Sequence, residues 1–346
     1  TVQRLPIGVH RAVVSRLKTL ARLDIAEKRR PQDGRIKTRH DEVEIELRLS
    51  TLPVAFGEKV VIRIFDPEIL LQDLQNLGFS PSDFESFQSF IARPHGLILV
   101  TGPTGSGKTT TLYSALQVLA TERVNVTTIE DPIEMVVEEF NQTSVLPKAG
   151  ITFASALRTI LRQDPDVIMV GEIRDQETAE NAIQAALTGH LVISTLHTND
   201  TGGALTRLAE LGVEPFLIAS TVVGVLAQRL VRKNCEGCRV ETVLSKEQLM
   251  ALGLPVPEEG EAPALPVVYG KGCPDCRHTG LRGRVGVFEV MPMSDRLRAM
   301  VIEGHPAPTI MKTARSDGMA TLRESAIKKL AQGTTSFEEV LRVTTD

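Results

Sequence analysis

The stretch "LILVTGPTGSGKTTTLY", Leu97 to Tyr113, decides the fold. Residues Gly96 to Val100 read as a buried strand, and Gly102 to Thr109 matches G-x-x-x-x-G-K-[ST], a loop that wraps a nucleotide phosphate between strand and helix. Gly102, Gly105 and Gly107 let the backbone turn so that its N–H groups converge on phosphate oxygens. The helix that follows aims its positive end at the same oxygens. The expected nucleotide site is therefore Gly102, Pro103, Thr104, Gly105, Ser106, Gly107, Lys108, Thr109 and Thr110. Lys108 would bridge the β- and γ-phosphates of ATP, and the Thr109 hydroxyl would ligate Mg2+.

Three more segments bear on what the phosphate is used for. "RVNVTTIEDPIE" (Arg123 to Glu134) reads as a strand ending in acids: Glu130, Asp131 and Glu134. "DPDVIMVGEIRD" (Asp164 to Asp175) is an apolar strand ending in Gly171-Glu172, and "GHLVISTLHTND" (Gly189 to Asp200) is a strand bracketed by His190 and His197. Acids at the C-terminal ends of parallel strands lie in the crevice where such sheets bind ligands. Carboxylates there can hold Mg2+ and orient a water, so Glu172 is expected on the metal, and either Glu172 or Glu130 on the water. A histidine at a neighbouring strand end, His197, can touch the γ-phosphate. Taken singly, each acid also reads as a helix cap and each histidine as a structural one.

Composition narrows the classes. The chain has 346 residues, long enough for two or three domains. A net charge of -4 and a pI near 6.0 argue against an electrostatic grip on nucleic acid. No apolar run reaches the roughly 18 residues of a membrane span. The sequence opens on Thr1, inside what reads as an ongoing domain, and is expected to be a fragment.

The four cysteines, Cys235, Cys238, Cys273 and Cys276, form two C-x-x-C pairs, as in a closed four-thiolate zinc site. Two disulfides or four free thiols are the alternatives. Disulfides need an oxidising compartment, and phosphate-loop proteins normally work in the cytosol, which favours zinc. The 34 residues between the pairs exceed the usual zinc-ribbon spacer, and His278 is a spare candidate ligand.

With these motifs in hand, the chain resembles the secretion or "traffic" ATPases of type II secretion and type IV pilus assembly along essentially its whole length. "GPTGSGKT" looks like their Walker A loop, "TIEDPIE" like the Asp box, "DPDVIMVGEIRD" like the atypical Walker B and "TGHLVISTLHTND" like the His box. "RPQDGRI" and "LRLSTLPVAFGEKVVIRIFD" resemble the second half of the domain before the motor core, and "CRHTGLRGRVGVFEV" the stretch closing the zinc region. The tetracysteine element points to the extending or secreting branch.

The resemblance implies an α/β fold: a RecA-like core with a small, partial α+β (PAS-like) domain before it and a zinc element after it. It implies arginine fingers from that preceding domain reaching into a neighbouring subunit, at Arg35, Arg48 and Arg63. Read alone, these arginines are also explained as a solvated β-face. It further implies a homo-hexamer in the cytoplasm, peripheral to the inner membrane without inserting in it. Its partners would be a membrane platform protein and associated cytoplasmic assembly proteins.

The expected organisation is a partial domain over 1–65, with a helix at Val9–Leu23 and strands around Arg35, Val43–Leu49 and Val60–Phe65. A linker over 66–74, a core over 75–231, a zinc element over 232–292 and a helical region over 293–346 follow. Two other functions compete with the mechanical ATPase. One is a RecA-like nucleic-acid translocase or DNA-transfer secretion ATPase; it would want aromatic stacking platforms, and there are 2 tyrosines and no tryptophan. The other is a zinc-stapled adaptor that binds nucleotide without using it, for which the strand-end acids have no purpose.

Overall fold

The computed structural model describes residues 4–40, 43–65, 71–256 and 265–345. Parts of the expected linker (66–70) and of the insertion "GLPVPEEGEAPALP" (257–264) lie outside the described residues. The chain divides into two compact units, Thr1–Leu71 and Gln72–Asp346.

In the first unit, helix α1 (Ile7–Leu20) precedes strands β1 (Gln32–His40), β2 (Val43–Val54) and β3 (Gly57–Phe65), which pair antiparallel in the order β1-β2-β3. Strand side chains alternate between faces. Ile36 and Leu49 accordingly pack with Ala21 in a small core, with Leu17 and Leu47 against it. The buried Lys18 pairs with Glu58 and donates to the Glu27 carbonyl at 2.7 Å. On the other face Arg35 stands opposite Arg48, and Arg48 opposite Arg63, in one row across the strands.

The second unit is built on a seven-stranded sheet. Its first strands are β4 (Gly96–Thr101), β5 (Val126–Glu130), β6 (Asn141–Ser144), β7 (Val167–Val170) and β8 (Leu191–Leu196). Strand β9 (Val222–Asn234) follows; β10 (Arg239–Val243) and β11 (Pro266–Gly270) form a separate pair, and β12 (Leu281–Pro292) returns to the sheet. The order is β12-β9-β4-β8-β7-β5-β6, all parallel except β12, which runs antiparallel along β9. Strands β4, β5, β7 and β8 are buried throughout; β4, β7 and β8 are accordingly mostly apolar, whereas β5 (VTTIE) also buries Thr127, Thr128 and Glu130.

Helices cover both faces: α2 (Pro81–Ile91), α3 (Lys108–Leu119), α4 (Phe153–Ile160), α5 (Gln176–Leu187), α6 (Thr201–Glu210) and α7 (Pro215–Thr221). The sequence signals their starts. Thr152, Asp175 and Asp200 each accept a backbone N–H two or three residues into α4, α5 and α6. Helix α8 (Lys246–Ala251) lies between β10 and β11, and α9 (Asp295–Ile302), α10 (Ala307–Ser316), α11 (Leu322–Ala331) and α12 (Phe337–Thr344) close the chain.

Strand β12 lies inside the segment read from sequence as the zinc element, yet its hydrogen bonds place it at the edge of the main sheet. A separate core of Leu244, Leu249 and Val267 joins the zinc segment to Val231, Val287, Leu330 and Val340 from β9, β12, α11 and α12. Leu74, expected at the end of the linker, is buried in a short helical turn over Leu74–Leu77 of the second unit.

Candidate nucleotide site and tetracysteine cluster

The parallel strands deliver their chemistry to one edge. Leaving β4, the chain passes through Gly102, Gly105 and Gly107, with φ of 147°, 79° and 90°. A Cβ on Gly102 would meet the Gln228 carbonyl at 2.5 Å and Ser106 Oγ at 2.7 Å; one on Gly107 would meet Gln228 Nε2 at 2.8 Å. Glycine is required there by crowding as well as by φ. Helix α3 starts on Gly107 with no side-chain cap, leaving first-turn N–H groups open to an anion. Ser106 Oγ is buried without a hydrogen-bond partner. These are the features of a loop shaped for phosphate oxygens.

Lys108 Nζ donates to the carbonyls of Gly102 at 2.7 Å and Pro103 at 3.2 Å, folding back on the loop. Burial pushes its ammonium below the ordinary lysine value; Glu172 opposes the shift, Arg229 adds to it and Glu134 opposes it. Thr109 and Thr110 are half-buried in the first turn of α3.

Glu172 follows β7 and is anchored through its neighbours. Gly171 N donates to the Ile129 carbonyl at 2.8 Å, and Thr195 Oγ1 to the Gly171 carbonyl at 2.7 Å. The Glu172 carboxylate, 12% exposed, pairs with Arg174 and lies 3.3 Å from His197 Nε2. Glu130, at the end of β5, is buried and engaged by uncharged donors. Tyr113 Oη donates to it, as do Thr128 Oγ1 at 2.6 Å and Gln142 Nε2 at 3.0 Å. Burial and the adjacent carboxylate push the Tyr113 hydroxyl far up.

The two histidines separate. His197 stands at the sheet edge, whereas His190 is at the opposite end of β8, its Nδ1 2.9 Å from the Ala185 carbonyl of α5. Of the core arginines, Arg158 pairs with Glu177 and Arg174 with Glu172. Arg35, Arg48 and Arg63 belong to the first unit; Arg48 Nε lies 3.3 Å and Arg35 Nη1 3.7 Å from the Glu46 carboxylate.

Sequence reading missed Gln228 and Arg229. Both are buried on β9 next to the loop, and Gln228 Oε1 accepts from Thr111 Oγ1 of α3 at 2.8 Å. The available signal was two polar residues inside the apolar run "VVGVLAQRLV". Thr101 was missed too: its hydroxyl accepts from Thr198 N at 2.8 Å and so pins the His197 loop to β4.

The four cysteine sulfurs lie within 4.8 Å of one another. Neighbouring pairs are 3.8 Å (Cys235–Cys273), 3.9 Å (Cys238–Cys276) and 3.7 Å (Cys273–Cys276) apart. Four thiolates about 2.3 Å from a tetrahedral zinc stand roughly 3.8 Å from each other, so the donor set fits that ion. All four are free of disulfides. The Cys273 N–H, with that of Gly280, helps hold the Cys276 thiol down to about 6. His278 lies outside the cluster among the described residues.

A family model described as "Type II/IV secretion system protein" matches residues 1–342. Curated relatives include a type IV pilus assembly ATPase, TfpB, of Acinetobacter baylyi, 52% identical over 99% of this chain and 58% of its own length. The PilB pilus assembly ATPase of Thermus thermophilus is 50% identical over 97% of this chain and 38% of its own. The type II secretion system ATPase E of Vibrio cholerae is 48% identical over 96% and 65%. The chain thus spans between 38% and 65% of the length of these relatives. A crystal structure of the pilus retraction motor PilT with bound ADP superposes with a TM-score of 0.64 at 26% identity, covering 92% of this chain and 78% of that one. The Legionella pneumophila ATPase DotB shares the fold at 22% identity, with a TM-score of 0.70 over 99% of this chain and 85% of its own.

Proposed function

The chain belongs to the type II/IV secretion system protein family, and we propose that it is the motor segment of a hexameric ATPase powering type IV pilus assembly or type II secretion. The observation that carries this reading is the convergence of the uncapped phosphate loop with Glu172 and His197 at one edge of the parallel sheet. ATP binds on Gly102–Thr110, with the loop N–H groups and Lys108 on its phosphates. Mg2+, held by Thr109 and Glu172, would neutralise charge on the β- and γ-phosphate oxygens. Lys108 exchanges its two loop carbonyls for phosphate oxygens when nucleotide enters. Glu172 orients the attacking water beside its metal role, with Glu130 the second candidate, and His197 touches the γ-phosphate.

Arg35, Arg48 and Arg63 are assigned as fingers into a neighbouring protomer's site. Like charges placed directly opposite on adjacent strands destabilise a sheet. A row of three with Glu46 beside two of them supports a face that meets an anion on another chain. The first unit also exposes Ile7, Phe56 and Ile64, which supports assembly. In the ring, nucleotide-dependent motion of the first unit against the motor unit passes force to an inner-membrane platform protein. No helix among the described residues is long and apolar enough to cross a membrane; the proposed peripheral, cytoplasmic location rests on the family relationship. Cys235, Cys238, Cys273 and Cys276 would hold a structural Zn2+ that ties the two ends of the zinc segment together, while the apolar core joins that segment to the C-terminal helices.

The test is ATP turnover by the chain with and without single-stranded DNA, and with purified cytoplasmic segments of a platform protein. The motor reading expects hydrolysis indifferent to DNA and raised by the platform segment. Stimulation by DNA alone would transfer the assignment to a nucleic-acid translocase.

A further inference from the structure

Strand β9 runs parallel to β4 with Ala227 opposite Thr101, the last residue of β4. The next two residues of β9 therefore run past the end of β4, alongside the phosphate loop, while still paired with β12. The second of them is Arg229, only 9% exposed. Its Nη2 donates to the Asn199 carbonyl at 3.1 Å and to Asn199 Oδ1 at 3.3 Å, and its Nη1 donates to the Gln228 carbonyl at 3.2 Å. Nη1 also lies 3.3 Å from where a Cβ on Gly102 would stand. One guanidinium thus touches the start of the phosphate loop and the loop that carries His197.

We propose that Arg229 is a positioning residue of the nucleotide site, acting within its own chain to hold the His197 loop in register with the phosphate loop. Burying a guanidinium in an apolar strand is costly, and leucine would pack there without that cost. Arginine has what leucine lacks: a planar fork that can bond several acceptors in fixed directions. The loop after His197 is held at three points. Thr198 N donates to Thr101, Asn199 receives Arg229, and Thr201 donates to the buried Glu289 at 2.9 Å through its N–H and 2.8 Å through its hydroxyl. Thr101 fixes the loop to β4 and Glu289 fixes it to β12. Thr101 precedes Gly102 directly in the chain, and Arg229 abuts Gly102 from β9, so a displacement of the phosphate loop on nucleotide exchange is also transmitted through the guanidinium to Asn199, two residues from His197. The Arg229 charge, buried near Lys108, also favours the anion that displaces Lys108 from the loop carbonyls.

The kinetic consequence rests on the ATPase reading; the structural one does not. The experiment compares the full chain with Arg229→Lys, Arg229→Met and Asn199→Ala. It measures kcat and KM for ATP, affinity for a fluorescent ADP, the thermal midpoint, and amide exchange over residues 197–200. Lysine keeps the charge but cannot span Asn199 and Gln228. Arg229→Lys should cut kcat by about tenfold or more with KM changed less than about threefold, since misplacing a group outside the chemistry acts mainly on the transition state. The thermal midpoint should hold, and exchange at Thr198 should quicken about tenfold. Arg229→Met should also weaken ADP binding. Asn199→Ala should move kcat the same way by a smaller factor, and adding it to Arg229→Lys should do nothing more. Should the Arg229 variants fail to fold, Asn199→Ala alone decides by the same kcat and exchange readouts. Unchanged kcat and exchange in a folded Arg229→Lys chain would overturn the inference. So would a loss confined to KM, which would put the guanidinium on the substrate. A wild-type chain that binds nucleotide without hydrolysing it would defeat the motor reading, and exchange over 197–200 would then decide the role of Arg229 by itself.

Discussion

His197 Nε2 stands 3.3 Å from Glu172 Oε2, so the ends of two adjacent strands, β7 and β8, meet in one polar pair at the sheet edge. A change at either residue should therefore be felt by the other.

Lys108→Ala should weaken nucleotide binding, because the ammonium is a ground-state phosphate contact. Glu172→Gln should bind ATP and lose turnover by about a hundredfold, because its role lies mainly in the transition state. His197→Ala should lower kcat less than Glu172→Gln does. Equilibrium binding and steady-state hydrolysis on the three variants check this. Wild-type turnover in Glu172→Gln would move the water-orienting role to Glu130.

Catalysis should be shared between protomers. Arg48→Ala chains and Glu172→Gln chains should each be inactive, yet a co-assembled mixture should recover partial activity. Some sites then combine an intact Glu172 with an intact neighbouring Arg48. Hydrolysis by the mixture, with co-assembly verified by mass photometry, is the measurement; a mixture as inactive as its parents would show that the arginine row does not act in trans.

Purified chain should carry one zinc, bound by all four cysteines. Any single Cys→Ser change should lower the thermal midpoint while leaving nucleotide affinity within about twofold, since the cluster belongs to the zinc segment and not to the phosphate loop. Elemental analysis and calorimetry test this, and a metal-free chain of unchanged stability would refute it.

Stability should depend on pH through Glu339. This buried carboxylate receives Arg232 N at 2.8 Å, Arg232 Nε at 3.0 Å and Arg342 Nη2 at 2.7 Å. Burial would raise its pKa, but the Arg342 and Arg232 contacts outweigh that and hold it at about 2, against 4.5 for a free glutamate. A depressed folded pKa means the stabilisation is full above the unfolded value and is lost as pH falls through the folded one. Glu339→Gln should thus cost about 2–3 kcal/mol above pH ~5, with the gap to wild type closing between pH ~4.5 and ~2. Denaturant unfolding across that range reads it directly, and a gap independent of pH would rule the carboxylate out as its source.

The phosphate loop, the strand-end acids and the paired cysteines were legible because each is a local pattern. A glycine at φ 147° and an apolar strand leave marks within a few residues of themselves. The α/β core was expected from the family resemblance that these same local motifs carry. What sequence could not order was anything set by pairing across long separations. It took the tertiary structure to line up Arg35, Arg48 and Arg63 in one row, because register depends on how three strands align. The same holds for β12, placed with the zinc segment by position and with the main sheet by its hydrogen bonds to β9. Sequence singled out His197 at the C-terminal end of its strand, and the structure places it beside Glu172 with His190 at a helix end. Arg229 lies 121 positions from Lys108 in the sequence, and nothing local links them. Their proximity comes from β9 pairing with β4. The sequence by itself determined which chemistry the chain carries; the pairing of distant strands decided which of those groups share a site.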